Sequence, residues 1–153
     1  MPQIIVKTEI DANIDTCFDL ARDVGFYYNT LEKSTEIPIG GKTTGLMEAG
    51  DYVTWETNHL SLMQHLTLKV TEFEKPILFV DEMVCGEFKT YRHEHIFEVE
   101  NDKTIMTDKF QFQSPYGILG KLVDWVFLKR HFKKLIVTRN KALRLQAETK
   151  MQD

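Results

Sequence analysis

The pattern of apolar and polar residues near the start of the chain alternates like a strand and then takes on helical spacing. Residues 3–10, QIIVKTEI, alternate and predict a strand. Residues 11–23, DANIDTCFDLARD, carry apolar side chains at helical spacing, which predicts a short helix capped by Asn13 or Asp15. Residues 25–32, GFYYNTLE, predict a second short helix.

The middle of the chain has the alternation of β-strands after a glycine-rich segment. Residues 38–51, PIGGKTTGLMEAGD, hold four of the eight glycines and predict a loop with hairpin turns. From Tyr52 to Ser114, short polar turns separate stretches of β-branched and aromatic residues, which predicts antiparallel hairpins. The five predicted strands lie within residues 51–60, 61–73, 77–85, 88–100 and 104–113.

The last element is predicted to be one long helix. Ser114 is a suitable cap, and Pro115 suits a first helical position because its missing N–H would be unpaired there. The pattern runs without proline from Tyr116 to about Glu148, a length of roughly 50 Å. This order of elements predicts an α+β fold in which a curved antiparallel sheet wraps around the long C-terminal helix. Two short helices follow the first strand, and an apolar cavity is expected between sheet and long helix.

Composition places the chain among ordinary globular proteins. It has 153 residues, 42% of them hydrophobic and 27% charged, and we expect one domain over residues 1–150. No stretch reaches the roughly 18 uninterrupted apolar residues of a membrane span. The start of the sequence lacks the basic and apolar regions of a secretion signal. We therefore expect a cytoplasmic protein without a transmembrane segment.

The charge is concentrated toward the end of the chain. Residues 129–150 carry a net +7, whereas the net charge of the whole chain is −4. Cations near a helix C-terminus complement the helix dipole, and this is the interpretation we favour. No DNA binding is expected. Residues 118–128, ILGKLVDWVFL, are apolar around the whole helix, so residues 118–134 are a candidate surface for a peripheral membrane or protein partner.

Titratable side chains fall on the predicted inner face of the sheet. In FKTYRHEHIF, residues 88–97, His93 and His95 share a face because side chains two apart in a strand point the same way. The same alternation puts other polar residues among the aromatic side chains of that face. The polar set is Asp81, His93, His95 and Asp108, with His59 as a further candidate.

Three kinds of chemistry fit this polar set. His-x-His alone is a weak metal signal and neither aspartate is near it in sequence, so we expect no metal and no cofactor. His93, His95 and Asp108 are candidate catalytic residues for acid/base chemistry. Alternatively, the side chains satisfy one another while they line a ligand pocket, which we favour because unpartnered buried carboxylates are costly.

Two long stretches of the sequence resemble a known superfamily. Residues 79–98, FVDEMVCGEFKTYRHEHIFE, and residues 104–140 resemble the START-like (SRPBCC) superfamily, in particular its small bacterial, polyketide cyclase-like branch. The similarity extends upstream through residues 53–60 and 70–79 and covers nearly the whole chain. Tyr91 replaces the phenylalanine of the family. The matching motif residues are Asp81, Gly86, Phe88, His93, His95, Phe97, Asp108, Pro115, Gly117, Gly120, Arg139 and Asn140.

The resemblance implies a helix-grip fold and a choice among several functions. Members carry lipids, sterols, plant hormones or quinones, cyclise polyketides, or bind ribosomes or chaperones. We expect a carrier or sensor of a hydrophobic small molecule such as a lipid, a quinone or a polyketide-like aromatic. The alternatives are a cyclase, dehydratase or hydrolase, and an interaction module that docks through the basic helix. The expected ligand-binding residues are Trp55, His59, Asp81, Tyr91, His93, His95, Asp108, Phe110, Phe112 and Trp125.

Overall fold

Strands, two short helices and a long final helix follow one another in the predicted order. A computed structural model describes residues 3–30, 36–59, 62–114 and 124–152. The elements are β1 Gln3–Ile10, α1 Ile14–Ala21, α2 Val24–Thr30, β2 Ile37–Gly41, β3 Tyr52–His59, β4 Leu62–Glu74, β5 Leu78–Cys85, β6 Thr90–Glu100, β7 Lys103–Gln113, a π-helical turn Asp124–Leu128, and α3 Lys129–Gln152.

The strands form a single seven-stranded antiparallel sheet in the order β1-β7-β6-β5-β4-β3-β2. From β2 to β7 each strand pairs with its neighbour in sequence, as the predicted hairpins require. β1 instead pairs with β7, from Gln3 opposite Gln111 to Ile10 opposite Thr104. Helix α3 packs against β1 and α1. The predicted α+β helix-grip architecture is confirmed.

The start of α1 shows why this segment becomes helical. The side chain of Asn13 accepts a hydrogen bond from the backbone N–H of Thr16 at 2.8 Å, so Asn13 is the cap. Asp15 lies in the first turn, where its charge complements the helix dipole. Cys17, Phe18 and Leu20 are the buried residues of this helix, and they attach it to the core.

The glycine-rich segment is not a loop throughout, which corrects the prediction for residues 38–51. Its first residues belong to the edge strand β2, whose register is interrupted by a bulge between Pro38 and Gly40. Edge strands tolerate proline and glycine. Because these residues give no alternation of apolar and polar side chains, the pattern did not indicate this strand. Gly41 has φ +69°, and a Cβ atom there would lie 2.4 Å from the carbonyl oxygen of Tyr52. Glycine is therefore required at position 41, where β2 ends beside β3.

The long helix ends later than predicted, at Gln152 rather than about Glu148. Its predicted beginning, with Pro115, Gly117 and Gly120, lies outside the described residues. The part described begins with a π-helical turn and continues as α3. None of the described helices combines the length and the apolar character that a membrane span requires.

Two apolar clusters fill the space between the sheet and the helices. The larger cluster centres on Phe18, whose ring packs against the ring of Phe97 with their centres 5.3 Å apart. The smaller cluster contains Phe110, Phe112 and Phe132, and joins the other end of β7 to α3. The core is therefore divided along the length of β6, β7 and α3.

Candidate functional site

A layer of polar side chains separates the two apolar clusters. On β7, Asp108 lies between Met106 of the larger cluster and Phe110 of the smaller one. We call the whole group the polar layer, and it consists of Asp81, His93, His95, Asp108, Arg139 and Asn140. These residues come from β5, β6, β7 and α3.

Strand register brings the polar layer together. His95 lies opposite Asp108 of β7 and opposite Phe79 of β5. His93 lies opposite Asp81 of β5 and opposite Phe110 of β7. Paired residues of antiparallel strands point to the same side of the sheet, so the alternation in the sequence was sufficient to place these side chains together.

Asp108 is the centre of the polar layer and is completely enclosed by protein. Its Oδ1 faces the Nε2 of His93 and the Nη2 of Arg139, each at 2.7 Å. Its Oδ2 accepts a hydrogen bond from the amide nitrogen of Asn140 at 2.8 Å. Burial alone would raise the pKa of Asp108, but Arg139 and the two histidines outweigh it and hold the pKa well below its usual range. Asp108 is therefore a carboxylate.

His95 lies between two carboxylates. Its Nε2 is 2.9 Å from Oδ2 of Asp81, and its Nδ1 is 3.3 Å from Oδ1 of Asp108. The second contact is an ion pair without hydrogen-bond alignment, because Nδ1 has no hydrogen-bond partner in the described part of the chain. Burial lowers the pKa of His95, yet Asp108 and Asp81 together hold it above its ordinary value. The two carboxylates thus favour the imidazolium form of His95.

His93 has the opposite electrostatic environment. Burial and the positive charge of His95 lower the pKa of His93 to about 4, although Asp108 acts against this shift. His93 is thus neutral at pH 7 and carries one ring proton. A carboxylate can only accept hydrogen bonds, so that proton is on Nε2, which faces Asp108. Nδ1 of His93 is left with a free lone pair.

A cavity lies beside the polar layer, between the sheet and α3. The centres of water molecules can occupy about 110 Å³ of it, which is room for several waters or a small organic molecule. Asp81, Tyr91, His93, His95 and Arg139 form a polar part of its wall. Most of the remaining wall is apolar and includes Trp55, Leu68, Phe79, Phe110, Phe132 and Ile136.

Most of the residues expected to bind a ligand lie at this cavity. Trp55, Asp81, Tyr91, His93, His95 and Phe110 are on its wall. Asp108 lies behind the histidines, and Phe112 packs against Phe132 in the smaller apolar cluster. The side chains of His59 and Trp125 lie outside the described residues.

Several wall residues were not identified as site residues from the sequence. Arg139 was named for its family motif alone, yet it interrupts the buried stripe of Phe132, Ile136 and Leu143 on α3. A cation on the buried stripe of a helix indicates a buried acidic partner, and this signal could have identified its role. Glu36, which accepts a hydrogen bond from the Tyr27 hydroxyl at 3.0 Å, had no comparable signal.

The donor set of the polar layer does not favour a metal ion. Atoms of His93, His95 and Asp108 that could act as ligands lie within 4.8 Å of one another. However, Arg139, Asn140 and His93 already surround the carboxylate of Asp108. The guanidinium of Arg139, 2.7 Å from that carboxylate, would also repel a cation.

The basic residues of α3 are not all available to a partner. Arg139 is buried in the polar layer, and Arg144 forms an ion pair with Glu148 at 3.2 Å. In the preceding π-helical turn, Val126 is 42% exposed and Phe127 is 66% exposed. The apolar part of the candidate partner surface, residues 118–134, therefore reaches solvent at this turn.

Comparisons with known proteins identify the fold. No protein-family model and no curated protein matches the chain. Solved structures match it over almost their entire length. TTHA0849 from Thermus thermophilus is 13% identical with a TM-score of 0.72, over 93% of this chain and 97% of that one.

Two further structures are similar to a comparable extent. Major latex-like protein 151 from Panax ginseng is 10% identical with a TM-score of 0.69, over 95% of this chain and 97% of that one. A START superfamily protein from Mycobacterium smegmatis is 12% identical with a TM-score of 0.68, over 96% of this chain and 97% of that one.

The protein thus has a helix-grip fold, with a long helix held against a curved antiparallel sheet. More specifically, the fold is START-like, as the resemblance in the sequence implied. At identities this low the similarity establishes the fold alone, and the function has to be argued from the cavity.

Proposed function

We propose that residues 1–150 act as one domain that binds a hydrophobic small molecule in the cavity between the sheet and α3. The observation that carries this proposal is an apolar cavity with a polar layer on one side of it. Ligand pockets combine apolar walls with a few polar groups that orient the ligand. A carrier or sensor of a lipid, a quinone or a polyketide-like aromatic fits this arrangement.

The packing of the core supports the same proposal. Protein interiors are normally close-packed. Here Leu68 and Ile136 instead face the cavity between the sheet and α3. A bound apolar molecule would cover this part of the wall.

The first experiment is native mass spectrometry of the protein purified from its own host, followed by extraction under denaturing conditions. A bound hydrophobic molecule at near-stoichiometric amount would support the proposal. In parallel, Ile136→Trp should fill the cavity and remove binding, with Leu145→Trp as the control because Leu145 is 70% exposed on the same helix. Undiminished binding by Ile136→Trp would contradict a site in this cavity.

An acid/base enzyme is the second candidate, because His93 lies on the cavity wall 2.7 Å from a buried carboxylate. A histidine with its pKa lowered to about 4 is a weak base at pH 7, so we favour binding over catalysis. An enzyme requires that His93→Ala abolish turnover while the melting temperature stays nearly unchanged. A structural role requires the reverse, because Asp108 would lose a buried donor.

We also propose residues 118–134 as a contact surface for a peripheral membrane or protein partner. Support comes from exposed Phe127 next to Lys129 and Arg130. Binding to anionic vesicles should weaken steeply with salt, and charge reversal at Lys133 and Lys134 should abolish it. Vesicle binding that is insensitive to both changes would exclude an electrostatic contact.

A further inference from the structure

The protonation of the polar layer restricts the chemistry of the ligand. We infer that the bound molecule carries an uncharged hydroxyl group, as an alcohol or a phenol, and that this hydroxyl donates a hydrogen bond to Nδ1 of His93. The inference rests on the proposed function and names the class of ligand that the cavity takes.

The first argument is the free acceptor on the cavity wall. Nε2 of His93 faces the carboxylate of Asp108 at 2.7 Å, which assigns the single ring proton to that nitrogen. Nδ1 of His93 has no hydrogen-bond partner among the described residues and is not sealed off by protein. Since His93 is 7% exposed and lines the cavity, a bound molecule can reach this nitrogen. A lone pair in an apolar cavity requires a donor, and a hydroxyl group is one.

The second argument is the charge balance of the polar layer. Two carboxylates, Asp81 and Asp108, are matched by two cations, His95 and Arg139. A charged ligand group would lose its hydration here without gaining an unmatched opposite charge. A ligand carboxylate at Nδ1 of His93 would also be repelled, because both groups are hydrogen-bond acceptors and neither carries a proton to donate.

The remaining charged side chains on the cavity wall have partners as well. Arg22 is bound to Asp19 at 2.7 Å and to Glu48 at 3.2 Å. Asp23 accepts the backbone N–H of Phe26 at 3.0 Å. Burial raises the pKa of Glu36, so the cavity disfavours a negative charge on this side chain. Arg22 therefore offers no unmatched positive charge to a ligand carboxylate.

The third argument is the surroundings of His93. The ring centres of Phe110 and His93 are 5.4 Å apart, and those of Tyr91 and Phe110 are 4.7 Å apart. Both pairs pack edge to face. The part of the ligand next to its hydroxyl group therefore meets aromatic surfaces. Naphthalene derivatives are suitable probes, because they present such a hydroxyl on an apolar ring system.

The test is isothermal titration of the wild-type protein with four probes of similar size at pH 7. They are 1-naphthol, 1-methoxynaphthalene, 1-naphthoate and 1-naphthylmethylamine. We expect 1-naphthol to bind roughly tenfold more tightly than its methyl ether, which accepts but cannot donate. The carboxylate and the ammonium probes should bind more weakly than 1-naphthol by at least about the same factor.

Variants connect this preference to one atom. His93→Phe keeps an aromatic ring and removes Nδ1, so it should reduce the affinity for 1-naphthol to that for the methyl ether. His65→Phe is the matched control, because the side chain of His65 is 60% exposed on β4. It should leave all four affinities unchanged. Should His93→Phe fail to fold, the wild-type ranking of the four probes still decides the question.

The outcomes separate the inference from the proposed function. Equal binding of 1-naphthol and its methyl ether, or tightest binding of either charged probe, would overturn the inference and leave a hydrophobic site in place. An unchanged preference for 1-naphthol in a folded His93→Phe protein would also overturn it. Absence of binding for all four probes, together with an empty protein in native mass spectrometry, would overturn the proposed function and the inference together.

Discussion

His93 and His95 lie stacked with their ring centres 3.9 Å apart, yet their pKa values are shifted in opposite directions. The difference arises from their partners. His95 lies between two carboxylates, whereas His93 shares one carboxylate with Arg139. Two adjacent imidazolium rings would repel each other. The pair therefore favours a single positive charge, on His95, while His93 stays neutral.

The first prediction is a maximum of stability near pH 6.5, the ordinary pKa of histidine. The pKa of His95 is raised by folding, so its stabilising contribution is complete below 6.5 and is lost as the pH rises through the folded value. The pKa of His93 falls to about 4 on folding, so stability decreases as the pH drops from 6.5 toward 4. The measurement is the free energy of unfolding by urea at a series of pH values.

Variants distinguish the two sides of this maximum. His93→Phe should make the decrease between pH 6.5 and 4 smaller, and the part that remains includes His131, whose pKa is also lowered by burial. His65→Phe should leave the profile unchanged. At still lower pH, stability should fall further, because the pKa of Asp108 is lowered well below 3.8 by folding. A wild-type stability that stays level between pH 6.5 and 4 would show that His93 is not held neutral.

The second prediction concerns Arg139. Arg139→Met removes the cation that is 2.7 Å from the enclosed Asp108 carboxylate. The free energy of unfolding should therefore decrease by about 3–5 kcal/mol. Arg144→Met on the same helix breaks an exposed ion pair with Glu148 and should cost less than about 1 kcal/mol. Thermal and urea unfolding of both variants provide the comparison. Equal losses would mean that the polar layer does not depend on this cation.

The third prediction concerns the start of α1. Asn13→Ala removes the acceptor for the Thr16 N–H and should reduce stability by about 1 kcal/mol. Asn13→Asp keeps a capping oxygen and should retain most of that stability. Urea unfolding measures both variants, and similar losses in the two would argue against a capping role.

The fourth prediction compares two glycines with positive φ. Gly41→Ala would bring a Cβ atom to 2.4 Å from the Tyr52 carbonyl oxygen, so β2 should be displaced from β3. Gly45→Ala meets nothing within 4 Å and should cost only about the 1 kcal/mol of an unfavourable φ. Hydrogen exchange at Lys42, whose N–H donates to the Tyr52 carbonyl at 2.8 Å, reports the pairing. Equal protection in both variants would contradict the steric argument.

Much of the fold could be predicted because alternation carries the information. The register that brings His93 and His95 to Asp81 and Asp108 follows from strand parity, and parity is visible in the sequence. β2 was missed because its five residues contain one proline and two glycines, which give no alternation.

The site was less accessible to prediction than the fold. The charges of His93 and His95 depend on which carboxylates each ring contacts, and the spacing of residues along the chain does not supply this. The role of Arg139 depends on the rotation of α3 against the sheet. Glu36 lies on the cavity wall immediately before β2, the strand that the pattern did not show.

The pairing of β1 with β7 has a consequence for how the protein is made. Gln3 cannot pair with Gln111 until the ribosome has produced the first 111 of the 153 residues. Until then β1 has no neighbour in the sheet, and the face that will line the cavity has no helix α3 to cover it. The hairpins from β2 to β6 can form earlier, but the sheet is completed by β1, and its aromatic inner face is covered by α3, only after the last strand and helix have been made.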